Sequence, residues 1–464
     1  MNVNTTLTDV LTQRIRSLEP SAIWGMVSAV DQSSIRLRGL NSMARAGDSV
    51  AIKLKRSGSP SDFGSDELLG EIVALNSNDL VVYPYGKVTG VRIGDGARLV
   101  DLNAVKISND WLGHLIDPMG QDATSQIALR GGDARSLDAA PPPAALRRGF
   151  GDRMHSGLNV FDTFLPLCSG QRIGLFAAPG VGKSSLIADL AVRAAADVVV
   201  VGLIGERGRE VRGFYDHALT DEIRSRTVVI SATSDEPATM KKRAALLAMA
   251  TAEHFRDQGK HVLLLLDSLT RFADAHREIA LAAGEAPSIR AYPPSTFQAL
   301  SSLVERAGPG ADYPAPGTSV SEQGDITAVF TVLAAAGDMD APVPDAIRGF
   351  LDGHVILDRS IAERGRFPAV DVLKSASRCL PDAASDEENS TLLRGRKFMG
   401  AYRDGEIMVK AGLYEPGSDP VLDHAIRIYG SLDEFLAGKS DSFEAAYGQL
   451  SDIIGSGEAS SHQP

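Results

Sequence analysis

The spacing of hydrophobic and polar positions divides the chain into stretches of different texture. Over residues 7–18, Leu7, Val10, Leu11, Ile15 and Leu18 fall on one helical face, and Pro20 stops that helix soon after. A terminal amphipathic helix of this length either packs on its own domain or docks a partner, and the pattern leaves both open. From Ile23 to about Val100 the texture becomes short β-like runs: IWGMVSAV, SIRLRGL, SVAIKLK, GEIVALN and DLVVYPY, separated by Gly, Ser, Asn and Asp. Strands at this spacing predict a small closed barrel over residues 21–100, with Arg56–Glu67 as an exposed loop.

A connecting segment over residues 101–156 carries APPPAALRRG (Ala140–Gly149), whose prolines predict a stiff linker. Over residues 157–378, the runs RIGLFAA, VVVVGLIG, TVVISAT, HVLLLLD, ITAVFTVL and HVILD alternate with helical stretches. That alternation predicts a mainly parallel sheet flanked by helices, its strands almost wholly apolar because both faces are covered. Residues 379–464 read as a helical domain, with Ser385–Glu388 as a capping box and a disordered tail from Gly455. The fold class is therefore α/β, with a small β-barrel before the central sheet and helices after it.

At 464 residues the chain is long enough for two or three domains. A formal charge of −12 argues against a nucleic-acid partner, since phosphate backbones attract basic surfaces. Two cysteines, Cys168 and Cys379, without a CxxC pair, suit a reduced compartment and no structural zinc. The N-terminal MNVNTTLTDVLTQRIRSLEP lacks a basic start followed by an apolar run, so no signal peptide is expected. Apolar runs such as Val198–Ile204 and Val262–Leu266 fall far short of the roughly 20 residues a membrane span needs. The expectation is a cytoplasmic protein whose membrane work, where it has any, is peripheral.

The strongest chemical signal is AAPGVGKS (Ala177–Ser184), directly after RIGLF and directly before the helical stretch SLIADLAVRAA. Strand, glycine-rich turn and helix N-terminus in that order form a phosphate-binding P-loop. The candidate nucleotide-binding residues are Ala177, Ala178, Pro179, Gly180, Val181, Gly182, Lys183, Ser184 and Ser185. Gly180 and Gly182 let the backbone amides curl inward, where they and the helix dipole favour phosphate. Lys183 supplies a cation to the β- and γ-phosphates, and the Ser184 hydroxyl is a ligand for Mg²⁺. Ala177 stands where the consensus has its first glycine. About eighty residues on, HVLLLLD runs four leucines into Asp267, placing a carboxylate at the ligand edge of the sheet, where it accepts from a metal-bound water. Between the two motifs, VVVVGLIGERGREV sets Glu206 at the end of another strand. Hydrolysis needs a carboxylate that orients water in line with the γ-phosphate, and Glu206 is the candidate. Arg207 is a second candidate at the γ-phosphate, and Glu210 a further holder of a metal-bound water. Taken alone, ERGRE reads as a charged surface turn; the other motifs change that reading.

Together AAPGVGKS, GERGRE, LLLLDSLTRFADAHREIALAAGE, AYPPSTFQALSSLVERAGPG and RGRFPAVDVLKSASR resemble the catalytic subunits of rotary ATPases, over about Gly25–Asp423. DSLTRFADAHREIAL and the two-proline AYPPS are similar to the type III export ATPases, flagellar and injectisome, rather than to the ATP synthase β subunit. The acidic lever loop of a β subunit is missing; SDEEN (Ser385–Asn389) is the nearest acidic run and reads as a helix start. The resemblance implies a RecA-like core with Glu206 as catalytic carboxylate and Arg207 its neighbour. It implies Phe367 packing on adenine, with Phe where Tyr is common, and Arg378 as an arginine finger reaching a neighbouring subunit's ATP. It further implies a homohexameric ring, Mg²⁺ with ATP, and a regulator at the N-terminal helix. The partners it implies are stalk and export-gate components and export chaperones with their substrates, at the inner face of the cytoplasmic membrane.

Four readings follow. They are a flagellar export ATPase, an injectisome ATPase with the same chemistry, a nucleotide-binding ring subunit without turnover, and an RNA-tracking ring helicase. Glu206 counts against the third, which characteristically lacks that carboxylate, and the chain's acidity counts against the fourth.

Overall fold

The computed structural model describes residues 24–54, 67–129, 131–288, 291–311, 324–334 and 338–456. The N-terminal helix expected over 7–18, most of the Arg56–Glu67 loop and the tail beyond Ser456 lie outside them. The chain divides into two compact units. One is Met1–Asn103 with Pro237–Thr239 and Glu278–Ala286, and the other is the remainder.

In the first unit, β1 (Gly25–Val30), β2 (Ile35–Arg38), β3 (Ser49–Lys53), β4 (Glu67–Leu75), β5 (Leu80–Pro84) and β6 (Gly96–Val100) close a barrel in the order β1-β2-β5-β4-β3-β6. The period-two alternation decides which side chains enter it. Ile35 and Leu37 are fully buried while Arg36 and Arg38 between them are exposed. Val27, Val50, Ile52, Ile72, Leu80 and Val82 complete the filled interior. Closure leaves no open sheet edge.

The second unit is built on a ten-stranded sheet. Its strands are β8 (Leu115–Ile116), β9 (Gln121–Asp122), β10 (Ile127–Ala128), β14 (Arg172–Ala177), β15 (Val198–Glu206), β16 (Thr227–Thr233), β17 (Val262–Asp267), β18 (Ile326–Leu333), β19 (Gly353–Leu357) and β20 (Ala376–Ser377). They run in the order β10-β9-β8-β16-β15-β17-β18-β14-β19-β20, parallel from β8 to β19 and antiparallel at both margins. Two further pairs, β7 (Ala104–Ile107) with β11 (Asp133–Ser136) and β12 (Arg153–Met154) with β13 (Leu167–Cys168), flank it. The segment expected merely to connect, 101–156, thus supplies strands to the sheet margin. Alternate residues of each central strand serve opposite cores, as a doubly covered sheet requires. Val201, Leu203 and Leu265 face one core with Leu186, Ile187 and Leu190. Val200, Ile204, Leu264 and Leu266 face the other with Ala248, Phe272 and Leu300.

The helices used below are α1 (Lys183–Arg193), α2 (Gly208–Gly213), α3 (Ala238–Arg256), α4 (Leu269–Ala282), α5 (Pro294–Glu305), α6 (Pro342–Phe350), α7 (Arg359–Glu363), α8 (Asp386–Lys410), α9 (Pro420–Ala437) and α10 (Phe443–Ser456). The last three form the C-terminal layer; Leu392, Leu432, Phe435 and Leu450 join the same core as α1. The α8 N-terminus carries the reciprocal capping box, with Ser385 Oγ accepting from the Glu388 N–H and Glu388 accepting from the Ser385 N–H. Helix α10 runs to Ser456, two residues into the stretch expected to be disordered, because Ile454 still reaches the core.

Candidate active site

β14 delivers the phosphate loop. Its last residue, Ala177, is 1% exposed, and the chain then turns through Gly180 and Gly182, both left-handed with φ of 82° and 89°. Gly182 is the N-cap of α1 and brings no side chain to it, so the amides of the first turn stay available to an anion. An added Cβ on Gly182 would also meet the Phe367 ring at 2.9 Å. Phe367, half exposed and joined to Pro368 by a cis bond, therefore stands directly against the loop.

Two neighbouring strands bring carboxylates to the same end. β17 ends on Asp267, 3% exposed, and β15 ends on Glu206. The pairing of β15 with β16 slips between Ile204 and Glu206, a bulge that re-aims the final side chain. Lys183 Nζ donates to Asp267 Oδ1 and lies 3.4 Å from Glu206 Oε1. Thr331 Oγ1 of β18 donates to Asp267 Oδ1 at 2.7 Å, holding the carboxylate from the other side. Burial pushes the Glu206 carboxyl above the ordinary glutamate range; the Lys183 ammonium opposes this and the Asp267 charge adds to it.

Ser184, Glu206, Glu210 and Asp267 line one small cavity, closed by Ile187, Leu203 and Phe214. Its volume of about 30 Å³ has room for water. Hydroxyl and carboxylate oxygens are the hard donors that Mg²⁺ accepts, and in a triphosphate site phosphate and water supply its remaining ligands. The residues present fit that ion.

Not every expected side chain converges there. Arg207 points outward, with its side chain 67% exposed, and its guanidinium lies 3.4 Å from Glu210. Arg378 follows β20 at the sheet margin, and its N–H donates to Asp352 O at 2.9 Å. Asp352 in turn donates to Arg172 O, so Arg378 sits level with the beginning of β14. The phosphate loop follows the far end of that strand, five residue steps or roughly 16 Å on. Arg378 is outside reach of its own chain's phosphate site. Thr331 was not foreseen, although its signal was present as one of two hydroxyls, with Thr327, in the apolar run ITAVFTVL.

The ATP synthase alpha/beta family nucleotide-binding domain model matches residues 157–377. The C-terminal domain model of the type III secretion ATPase EscN matches residues 384–452. A flagellum-specific ATP synthase of Caulobacter vibrioides is 41% identical over 445 residues, 95% of this chain and 98% of that protein. The chain belongs to the flagellar and type III secretion export ATPases of the ATP synthase alpha/beta family. Within this family, the SPI-2 type 3 secretion system ATPase of Salmonella typhimurium is also 41% identical, over 81% of this chain and 84% of its own. The assembled ATPase EscN of enteropathogenic E. coli superposes with a TM-score of 0.83 at 35% identity, covering 93% of this chain and 100% of that one. EscN in complex with its central stalk EscO superposes with a TM-score of 0.79 at 34% identity and the same coverage. These export-ATPase structures share the α/β fold expected from the sequence, a RecA-like core between a small β-barrel and C-terminal helices. Among the described residues no helix is long and apolar enough to cross a membrane.

Proposed function

We propose that this chain is a ring-forming ATPase whose hydrolysis of ATP drives flagellar-type protein export. One observation carries the catalytic part: a half-buried carboxylate, Glu206, shares a water-sized cavity with Ser184 and Asp267 and lies beside Lys183. The first-turn amides of α1 and the Lys183 ammonium bind the β- and γ-phosphates. Ser184 and Asp267, with Glu210 through a water, are the residues that would hold Mg²⁺. That ion, when bound, neutralises charge on the phosphate oxygens. Glu206 orients the attacking water and accepts its proton; the raised proton affinity that burial gives it suits this role. Phe367 packs on the adenine, and Arg207, the single residue between β15 and α2, swings to the γ-phosphate when Glu210 turns to the metal-bound water. Arg378 serves the nucleotide of an adjoining copy, a role supported by its distance from its own phosphate loop.

A finger supplied in trans implies a homohexameric ring, and EscN has been solved assembled and with its stalk. Stalk and export-gate components, chaperones with their cargo, and a regulator bound by residues 1–20 complete the proposed setting, in the cytoplasm at the membrane's inner face. An injectisome role has its own support in the 41% identity to the SPI-2 ATPase. Loss of motility rather than of effector secretion on gene deletion decides for export to the flagellum.

The test of the chemistry is Glu206→Gln. The variant should bind Mg·ATP with wild-type affinity yet release phosphate at least about 10²-fold more slowly. Equal, negligible release by variant and wild type, at ring-forming concentration, would establish a structural subunit instead.

A further inference from the structure

The amino-terminal margin of the large sheet carries a second cavity, of about 460 Å³, whose lining includes Asp345, Arg348, His354 and Arg378. Arg348 lies in the last turn of α6, and α6 ends where the chain enters β19. Both arginines are therefore mounted on the same end of the sheet, opposite the chain's own phosphate loop. Arg348 pairs at 2.8 Å with Asp345 one turn earlier, and the two side chains are 39% and 61% exposed. A pair that open contributes little and is readily exchanged for a stronger anion. Arg378 is exposed, and its backbone N–H is tied to Asp352 O.

His354 lines the same cavity as both guanidinium groups. Its imidazole is driven toward the neutral form by burial first and then by both Arg348 and Arg378, against the hydrogen bond between Nε2 and Lys374 O at 3.1 Å. The lining of this cavity thus holds two arginines and one carboxylate. A phosphate group answers two arginine forks at once. No residue of Ala177–Ser185 lines this cavity, so the phosphate has to arrive on another molecule.

We propose that Arg348 is a second catalytic arginine, delivered beside Arg378 to the terminal phosphates of the nucleotide bound by an adjoining copy of the chain. The inference rests on the reading of Arg378 as a residue acting in trans. Arg378 and Arg348 grip different oxygens of the transferring phosphoryl group, Arg348 releasing Asp345 as it does so. The loose transition state spreads charge over three oxygens, so two cations stabilise it better than one.

The experiment uses full-length chains at ring-forming concentration with Mg·ATP. Arg348→Ala should lower kcat about tenfold and change KM for ATP less than twofold, and Arg348→Lys should recover part of the loss. Mixing Arg348→Ala chains with Lys183→Ala chains should restore activity, because the latter keep both arginines while the former keep a working phosphate loop. Mixing Arg348→Ala with Arg378→Ala should restore nothing, since every donor face then lacks one arginine. Rescue of Arg378→Ala but not of Arg348→Ala by Lys183→Ala chains overturns this proposal alone. Rescue of neither overturns the trans reading beneath it. Wild-type kcat in Arg348→Ala also overturns the proposal.

Discussion

Glu206 sits between opposing demands. Its side chain is 18% exposed, close to the Lys183 ammonium and to the Asp267 carboxylate. Burial wins, so its carboxyl holds a proton more tightly than a free glutamate does. The ionised form is the one that accepts a proton from water, so turnover should fall as pH drops through a point above the usual glutamate range. The pH–kcat profile of the wild type should show this acidic limb, and the residual rate of Glu206→Gln should not. Stability runs with the opposite sign. A raised folded pKa means that the native state binds the proton more tightly, so ionising Glu206 lowers stability as pH rises from the ordinary range through the folded value. Glu206→Gln should therefore melt above the wild type at neutral pH, with the gap narrowing on acidification; a variant that melts lower at pH 7 would contradict the assignment. Phe367 shows the same dependence on neighbours: it is half exposed yet stands against Gly182, where an added Cβ would meet its ring at 2.9 Å.

Elements were legible wherever their own residues decide them. The apolar runs that became β14 to β18 predicted strands because covering a sheet on both faces needs no polar side chain over most of its length. Helix α8 announced its start through Ser385 and Glu388, which satisfy each other's backbone amides. Ser385→Ala should cost about 1 kcal/mol there, seen as roughly fivefold faster amide exchange in the first turn of α8 with the rest of the helix unchanged. Uniform acceleration along α8 would mean that the cap governs the whole layer. Other elements were not legible, for a physical reason. β8, β9, β10, β12, β13 and β20 are two residues each, too short for any period, and exist only because a partner strand supplies the pairing. β20 matters most of these, because its antiparallel pairing with β19 fixes where Arg378 emerges. The family resemblance named Arg378, but its placement at the amino end of the sheet comes from tertiary pairing. Thr331 was hidden similarly: its hydroxyl has meaning only once β18 lies beside β17.

For the molecule as a whole, the two ends of one sheet divide the chemistry. The carboxyl ends of β14, β15 and β17 gather Lys183, Glu206 and Asp267, while the amino end presents Arg378 roughly 16 Å back along β14. An arginine side chain cannot span that distance, so on the proposed assignment one chain carries its phosphate site at one end of the sheet and, at the other, the arginine that serves another copy. Copies related by rotation would then complete each other through head-to-tail contacts, the arrangement that closes into rings. The rate per chain should then rise steeply with protein concentration in Mg·ATP and level off where rings saturate; EDTA should abolish it throughout. Arg378→Ala should bind nucleotide and assemble as the wild type does in sedimentation, yet show a flat rate–concentration curve, about 10³-fold below the wild-type plateau. A wild-type rate independent of concentration from monomer to ring would mean that each chain completes its own site. The distance along β14 leaves Arg378 no means of doing so.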